Sequence, residues 1–344
     1  KLGSGFKIGT ARYTYDTGEL DGRKIWRLSS YLYAGIQQLS TVEVEAESFK
    51  PIHCRWKHTL LGDSDTTYTP GKAEVRFKGK DEVKTTEVEG VFYDNEEYLA
   101  LMRRMPLATN YSTPSRVFSG LAGGNIVSFK ADVTALETVK VPAGTFECYK
   151  VELSIKQTFW YSADEHRYLV KFEGGGIVAE LRQIRQRDPN ELATYKDSMV
   201  SMTAPAGWLI FAQKTIEDDK RARLLILDPD AIANTALTTR GLDDLKPEEK
   251  TSLRAVADKA LAEAMRTTKN FRVRPDSWTE TTLSGRPALS VTADYVEGET
   301  ATVAHGVFTL AGDNAVEIHT HMDAKEFESF RPKFEAILKS VKLN

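Results

Sequence analysis

The chain has 344 residues, 41% of them hydrophobic and 28% charged, with a formal net charge of -3. That is the composition of an ordinary globular protein long enough for two domains. It excludes a basic stripe able to neutralise a run of phosphates, so no nucleic-acid partner is expected. The longest strictly aliphatic run, Leu224 to Leu227, is far short of the ~20 apolar residues that cross a bilayer, so no membrane span is expected either. The sequence opens on Lys1 rather than Met, which reads as a processed or truncated product whose original N-terminus is missing, along with any signal peptide it carried. The two cysteines, Cys54 and Cys148, lack the CxxC spacing of a redox or zinc site. Two buried free thiols are preferred over a disulfide.

From Phe6 to about Arg187 the dominant period is two, as in Val42-Val44-Ala46, Ile52-Cys54-Trp56 and Ala73-Val75-Phe77. Such alternation predicts antiparallel strands with one covered face. Turn residues fall at Asp21-Gly22, Pro70-Gly71 and Gly79-Lys80-Asp81, making the first half a large meander. A helix is predicted over Asn95 to Met105, with Leu99 and Met102 facing the sheet and Pro106 ending the segment. A short helix on a curved sheet would leave a concave, partly apolar space. From Val139 to Ile184 a Pro142-Ala143-Gly144 turn leads into a strand, the triplet Phe159-Trp160-Tyr161, and two strands separated by Gly174-Gly175-Gly176.

The polar stretch around Asp188-Pro189 marks a boundary, giving a first domain over residues 1–187, a linker over 188–198 and a second domain over 199–344. Strands are expected at Met199–Met202 and Leu224–Leu227. Pro247-Glu248-Glu249 suits a helix start, and the stripe Leu253, Val256, Ala257, Ala260, Leu261, Ala264, Met265 suits one face packed on a sheet. Strands are predicted near 286–295, 301–310 and 315–322, the last two joined as a hairpin through Gly312-Asp313-Asn314. A terminal helix carrying Phe327, Phe330, Phe334, Ile337 and Leu338 should kink or divide at Pro332.

Val141-Pro142-Ala143-Gly144-Thr145-Phe146, Trp160-Tyr161-Ser162, the strand ending at Glu180-Leu181, and the upstream segment from Tyr93-Asp94 to Pro106-Leu107 resemble a bacterial family of uncharacterised envelope proteins. Members of that family are similar to lipoprotein carriers, which implies a half-barrel of antiparallel strands around a helical plug. Pro205-Ala206-Gly207-Trp208 and the closing Phe327, Pro332, Phe334, Ile337, Leu338, Ser340, Val341 pattern resemble the PsbP-like sandwich, which implies an interaction scaffold. Both resemblances imply a bacterial periplasmic or extracellular protein, and fold-level likeness alone does not fix function.

The fold class expected is therefore α+β, with a curved antiparallel β half-barrel and short helical plug followed by an α/β sandwich with an antiparallel sheet. Trp56, Phe77, Phe92, Tyr98, Phe129, Phe159 and Trp160 are the candidate lining of an apolar ligand pocket, set against the reading that they form ordinary core. His305, His319 and His321 are the metal candidates. They cluster only if the hairpin register brings His305 opposite one of the other two, and dissolve if His305 pairs with Thr320. Asp63-x-Asp65-x-Thr67 with Glu74 has calcium-loop spacing, but Tyr68 stands where Gly is needed. Asp164-Glu165-His166-Arg167 reads as a polar hairpin tip. With no complete catalytic constellation, the expectation is a non-enzymatic exported protein that needs no cofactor and binds a lipophilic molecule or envelope component in the half-barrel. The alternative is a structural or assembly scaffold whose partner is an envelope protein.

Overall fold

The computed structural model of the chain describes residues 8–120, 122–186, 188, 190–213, 223–243, 245–298 and 300–344. Its contacts fall into two compact units, Lys1–Gln186 and Arg187–Asn344.

The first unit holds two seven-stranded sheets. One is an uninterrupted antiparallel meander of β1 (Thr10–Leu20), β2 (Arg23–Tyr33), β3 (Gln37–Glu45), β4 (Pro51–His58), β5 (Gly62–Thr69), β6 (Lys72–Phe77) and β7 (Val83–Glu87). The other contains β8 (Tyr93–Asp94), β9 (Ser112–Ser119), β10 (Asn125–Val141), β11 (Gly144–Leu153), β12 (Gln157–Ser162), β13 (Leu169–Gly174) and β14 (Ile177–Glu180), antiparallel except where β8 runs parallel to β9. Between β8 and β9 lies α1 (Tyr98–Met102), only five residues long. Leu28, Val42, Cys54 and Val75 of the first sheet, Phe129, Val133, Val151 and Phe159 of the second, and Leu101 and Met102 of α1 join in one buried core.

A single inserted residue decides what the long strand β10 does. Its pairing with β11 slips between Val133 and Ala135, and because side chains alternate with period two, one extra residue sends every later side chain to the opposite face. Val133 therefore points into the shared core, whereas Val139 and Val141 form a second cluster with Cys148, Trp160 and Val170. The aromatic triplet divides in the same way: Phe159 and Tyr161 enter the main core and Trp160 the second cluster. The two cysteines consequently lie in different clusters, and both are free and buried.

The second unit is built on an eight-stranded antiparallel sheet whose main path is β17 (Leu209–Gln213), β18 (Arg223–Leu227), β19 (Asn234–Gly241), β24 (Asn314–Asp323), β23 (Thr300–Ala311), β22 (Arg286–Glu297) and β20 (Arg272–Val273), with β21 (Thr279–Leu283) also paired to β22. A three-stranded sheet of β15 (Leu192–Lys196), β16 (Val200–Ala206) and β25 (Lys342–Leu343) accompanies it, so part of the stretch expected as linker is a strand. Helix α2 (Leu253–Thr267) starts at a Ser252 cap that accepts from the Ala255 amide at 3.2 Å, later than Pro247 suggests. It packs Ala257 and Leu261 on Val291 and Phe308, while Met265 from the expected stripe is half exposed. Helix α3 (Phe327–Ser340) contains Pro332 and runs as one element. It buries Phe327, Phe330, Phe334 and Ile337 against Val303, Val307 and Ile318.

The α+β expectation is overturned. Strand makes up 57% of the chain and helix 12%, and none of the sheets closes into a barrel. The one curved half-barrel with its plug is instead a pair of open sheets with a five-residue helix. Period-two sequence continues through almost all of the first unit, leaving α2 and α3, with 15 and 14 residues, as a small minority.

Burial pushes the Cys148 thiol up to about 11 and the Cys54 thiol well above its ordinary value. A thiol reagent at neutral pH should find no reactive cysteine in the native protein and two after denaturation. Phe118 is 0% exposed and meets the Tyr68 ring edge-on at 5.7 Å. Phe118→Ala should lower unfolding free energy by about 3–5 kcal/mol in urea titrations.

Candidate functional site

None of the expected pocket aromatics is among the residues lining the groove described below. Trp56, Phe92, Tyr98, Phe129 and Phe159 are buried in the main core of the first unit, Phe77 packs at its margin and Trp160 sits in the second cluster. The histidines are also separated. His305 pairs with Thr320, and His319 with Gly306. Paired residues share a face and successive residues alternate, so His305 is on the α3 face, 5.7 Å from the Phe334 ring centroid, and His319 and His321 are on the other. His305 Nδ1 lies 2.9 Å from the Thr292 hydroxyl, and His321 Nδ1 3.2 Å from that of Tyr295. Burial, with the neighbouring His319 second, pushes the His321 imidazole down to about 3. Among the described residues no three His, Cys, Asp or Glu side chains assemble into a metal site. The Asp63 to Glu74 spacing dissolves too, because strand geometry gives Asp63 to Lys78, Asp65 to His53 and Glu74 to Lys72.

A groove of about 400 Å³ opens elsewhere in the first unit, lined by Tyr15, Trp26, Leu28, Ala46, Phe49, Ala100, Arg103, Arg104 and His166. Its apolar wall follows from register. Tyr15 pairs with Leu28 and Thr17 with Trp26, which places Tyr15, Trp26 and Leu28 on one face of β1 and β2. Phe49, in the β3–β4 loop, has a φ of 58° and is 5% exposed. The left-handed region is unfavourable for a bulky side chain by roughly 1–2 kcal/mol, and here it directs the ring inward.

The polar side of the groove begins where α1 ends. Arg103 donates from Nε to the carbonyls of His166 at 3.2 Å and Arg167 at 3.1 Å, and from Nη2 to His166 at 2.7 Å. Its guanidinium also lies 4.9 Å from the Tyr15 ring centroid. Arg104 donates to the carbonyls of Ala46 at 2.9 Å and Glu47 at 3.3 Å and lies 4.8 Å from the Phe49 ring centroid. The hairpin tip that offers the His166 carbonyl is tied by Asp164 Oδ1, which accepts from the amides of His166 and Arg167 at 2.9 and 3.2 Å. Sequence reasoning reached this tip and the neighbourhood of α1 but not Tyr15, Trp26, Phe49, Arg103 or Arg104. Two consecutive arginines inside the helix predicted over Asn95 to Met105 were the available signal.

A family model described as "Protein of unknown function (DUF3108)" matches residues 1–182, a span that contains every residue of the groove. The chain belongs to the DUF3108 family. No curated protein matches it. Among solved structures, cyanobacterial PsbP from Synechocystis sp. PCC 6803 is similar at 10% identity and a TM-score of 0.36, over 47% of this chain and 98% of that one. LpqN, described as involved in cell envelope biogenesis of Mycobacterium tuberculosis, is similar at 11% identity and a TM-score of 0.28, over 45% of this chain and 91% of that one. Likeness at that level carries no functional argument.

The DUF3108 unit also buries a pair of acids. Asp94 Oδ1 accepts from the Glu96 amide at 2.7 Å and Glu97 Oε1 accepts from the Asp94 amide at 3.0 Å. Both side chains thus take up amides of the turn that leads into α1. Tyr68 donates its hydroxyl to Asp94 Oδ2. Glu97 is 0% exposed and its Oε2 has no hydrogen-bond partner among the described residues. Burial pushes the Asp94 carboxyl up to about 7, with Glu96 second, and burial with the charge of Asp94 raises Glu97 well above the carboxylate range.

The folded DUF3108 unit thus favours the protonated acids. Their stabilisation is complete below the ordinary carboxyl value of about 4 and is lost as pH rises through about 7. Unfolding free energy should fall between about pH 4 and about pH 7, by up to ~1.4 kcal/mol per pH unit for Asp94. Asp94→Asn should flatten that slope in urea titrations across pH. A slope unchanged in the variant excludes Asp94 as its source.

Proposed function

We propose that the first unit is a binding module for a lipophilic molecule, held in the groove of an exported bacterial envelope protein that performs no chemistry on it. The observation that carries this reading is the groove itself. Its volume of about 400 Å³ falls within the roughly 300–1,000 Å³ of small-molecule sites, and an apolar wall with a few placed polar groups is their usual composition. Tyr15, Trp26, Leu28 and Phe49 supply that wall, and the polar groups are two guanidiniums and an imidazole. Envelope location is an inference from the lipoprotein-carrier and PsbP-like resemblances of the sequence. Among the described residues no helix is long and apolar enough to cross a membrane. The second unit, its main sheet covered by α2 on one face and α3 on the other, is read as an interaction scaffold.

A second reading is a scaffold whose first unit also binds a protein partner. Leu60 and Leu61 favour it, being 70% and 58% exposed side by side between β4 and β5.

Delipidated protein should brighten a fluorescent fatty-acyl probe and gain stability with it, by about 2.7 kcal/mol at a free concentration of about one hundred times Kd. Ala46→Trp, placed on the groove lining, should weaken uptake about tenfold, equivalent to ~1.4 kcal/mol. Absence of both brightening and stabilisation across a panel of chain lengths removes the lipid reading and leaves the scaffold.

A further inference from the structure

The two arginines of the groove are positioned without being neutralised. All their hydrogen bonds described above go to backbone carbonyls, which orient a guanidinium but do not cancel its charge. Among the described residues neither Arg103 nor Arg104 forms an ion pair with a carboxylate, although Arg27, Arg254, Arg274 and Arg331 each do. Each guanidinium has five N–H donors. The carbonyl contacts engage two from each side chain: Nε and Nη2 of Arg103, and Nη1 and Nη2 of Arg104. Arg103 lies over the Tyr15 ring at 4.9 Å and Arg104 over the Phe49 ring at 4.8 Å, which keeps both guanidiniums at the apolar wall. Arg103 is half-buried and Arg104 exposed, so the pair runs from the groove interior to its lip.

Charge complementarity then selects the occupant. An uncharged lipid would leave two cations beside its polar end unanswered, whereas an anionic head group would accept charge-assisted hydrogen bonds from them. A volume near the lower end of the small-molecule range accommodates one chain rather than two. Resting on the lipid-binding reading above, we propose that the groove binds single-chain acyl carboxylates, with the carboxylate between Arg103 and Arg104 and the chain along Tyr15, Trp26, Leu28 and Phe49.

The test is titration of the delipidated full chain with dodecanoate, dodecan-1-ol and dodecyl phosphate, followed by calorimetry. Dodecanoate is expected to bind at least about tenfold more tightly than the alcohol, with affinity that falls as salt is raised. Arg104→Gln should abolish that preference by weakening dodecanoate alone, and Arg104→Lys should retain part of it. Arg104 is exposed, so its variants should keep the parent unfolding midpoint. Equal binding of acid and alcohol by the parent protein overturns the anion assignment while leaving a lipid groove. A preference for dodecyl phosphate over dodecanoate of about tenfold or more overturns the carboxylate assignment. Binding of none of the three overturns both this inference and the lipid reading.

Discussion

A five-residue helix is far below the length at which a helix persists in water, because nucleation is unfavourable and propagation has no room to offset it. Helix α1 therefore depends on being buried, and burial requires partners for its backbone groups. Asp94 and Glu97 take up amides just ahead of it, and the Tyr161 hydroxyl donates to the Leu99 carbonyl at 3.1 Å. The helix thus joins the two sheets of the first unit through polar contacts as well as apolar ones. Two properties of the unit follow from this arrangement. The acids sit where their charged forms are disfavoured, and the two residues following α1 emerge as cations at the edge of the core.

The same unit shows how little chain is needed to redirect a strand. Without the bulge near Thr134, Val139 and Val141 would point into the main core, and Trp160 would lose the partners that cover it. In the second unit, register alone separates His305 from His319 and His321. Both cases turn on a single-residue offset, and both determine which side chains can act together.

The groove is a by-product of these constraints with a defined chemical character. Its apolar wall is the margin of the main core, uncovered where the β1–β2 hairpin runs past α1. Its charges come from residues whose backbone belongs to α1 and its exit, tethered by the β3–β4 loop and the β12–β13 tip. Four separate segments must be in place before the site exists. Acid-dependent stability of α1 and occupancy of the groove therefore share one structural element.

Much of the framework was legible in sequence. Alternation in Val42-Val44 and Ala73-Val75 marked strands, the stripe from Leu253 to Leu261 marked α2, and the Gly312-Asp313-Asn314 turn marked a hairpin, because strand and helix periods are imposed by local backbone geometry. The Asp164 to Arg167 tip and the short helix near residue 98 were visible for the same reason. Period alone could not show that one meander would become two sheets, that Thr134 would bulge, or that Phe49 would adopt a positive φ. Nor could it distinguish aromatics buried in a core from those lining a groove, since both lie at inward-facing positions. The residues themselves determined the strands, helices and turns; tertiary packing alone decided which faces met, because side-chain proximity across 150 residues depends on sheet pairing and register rather than on any local preference.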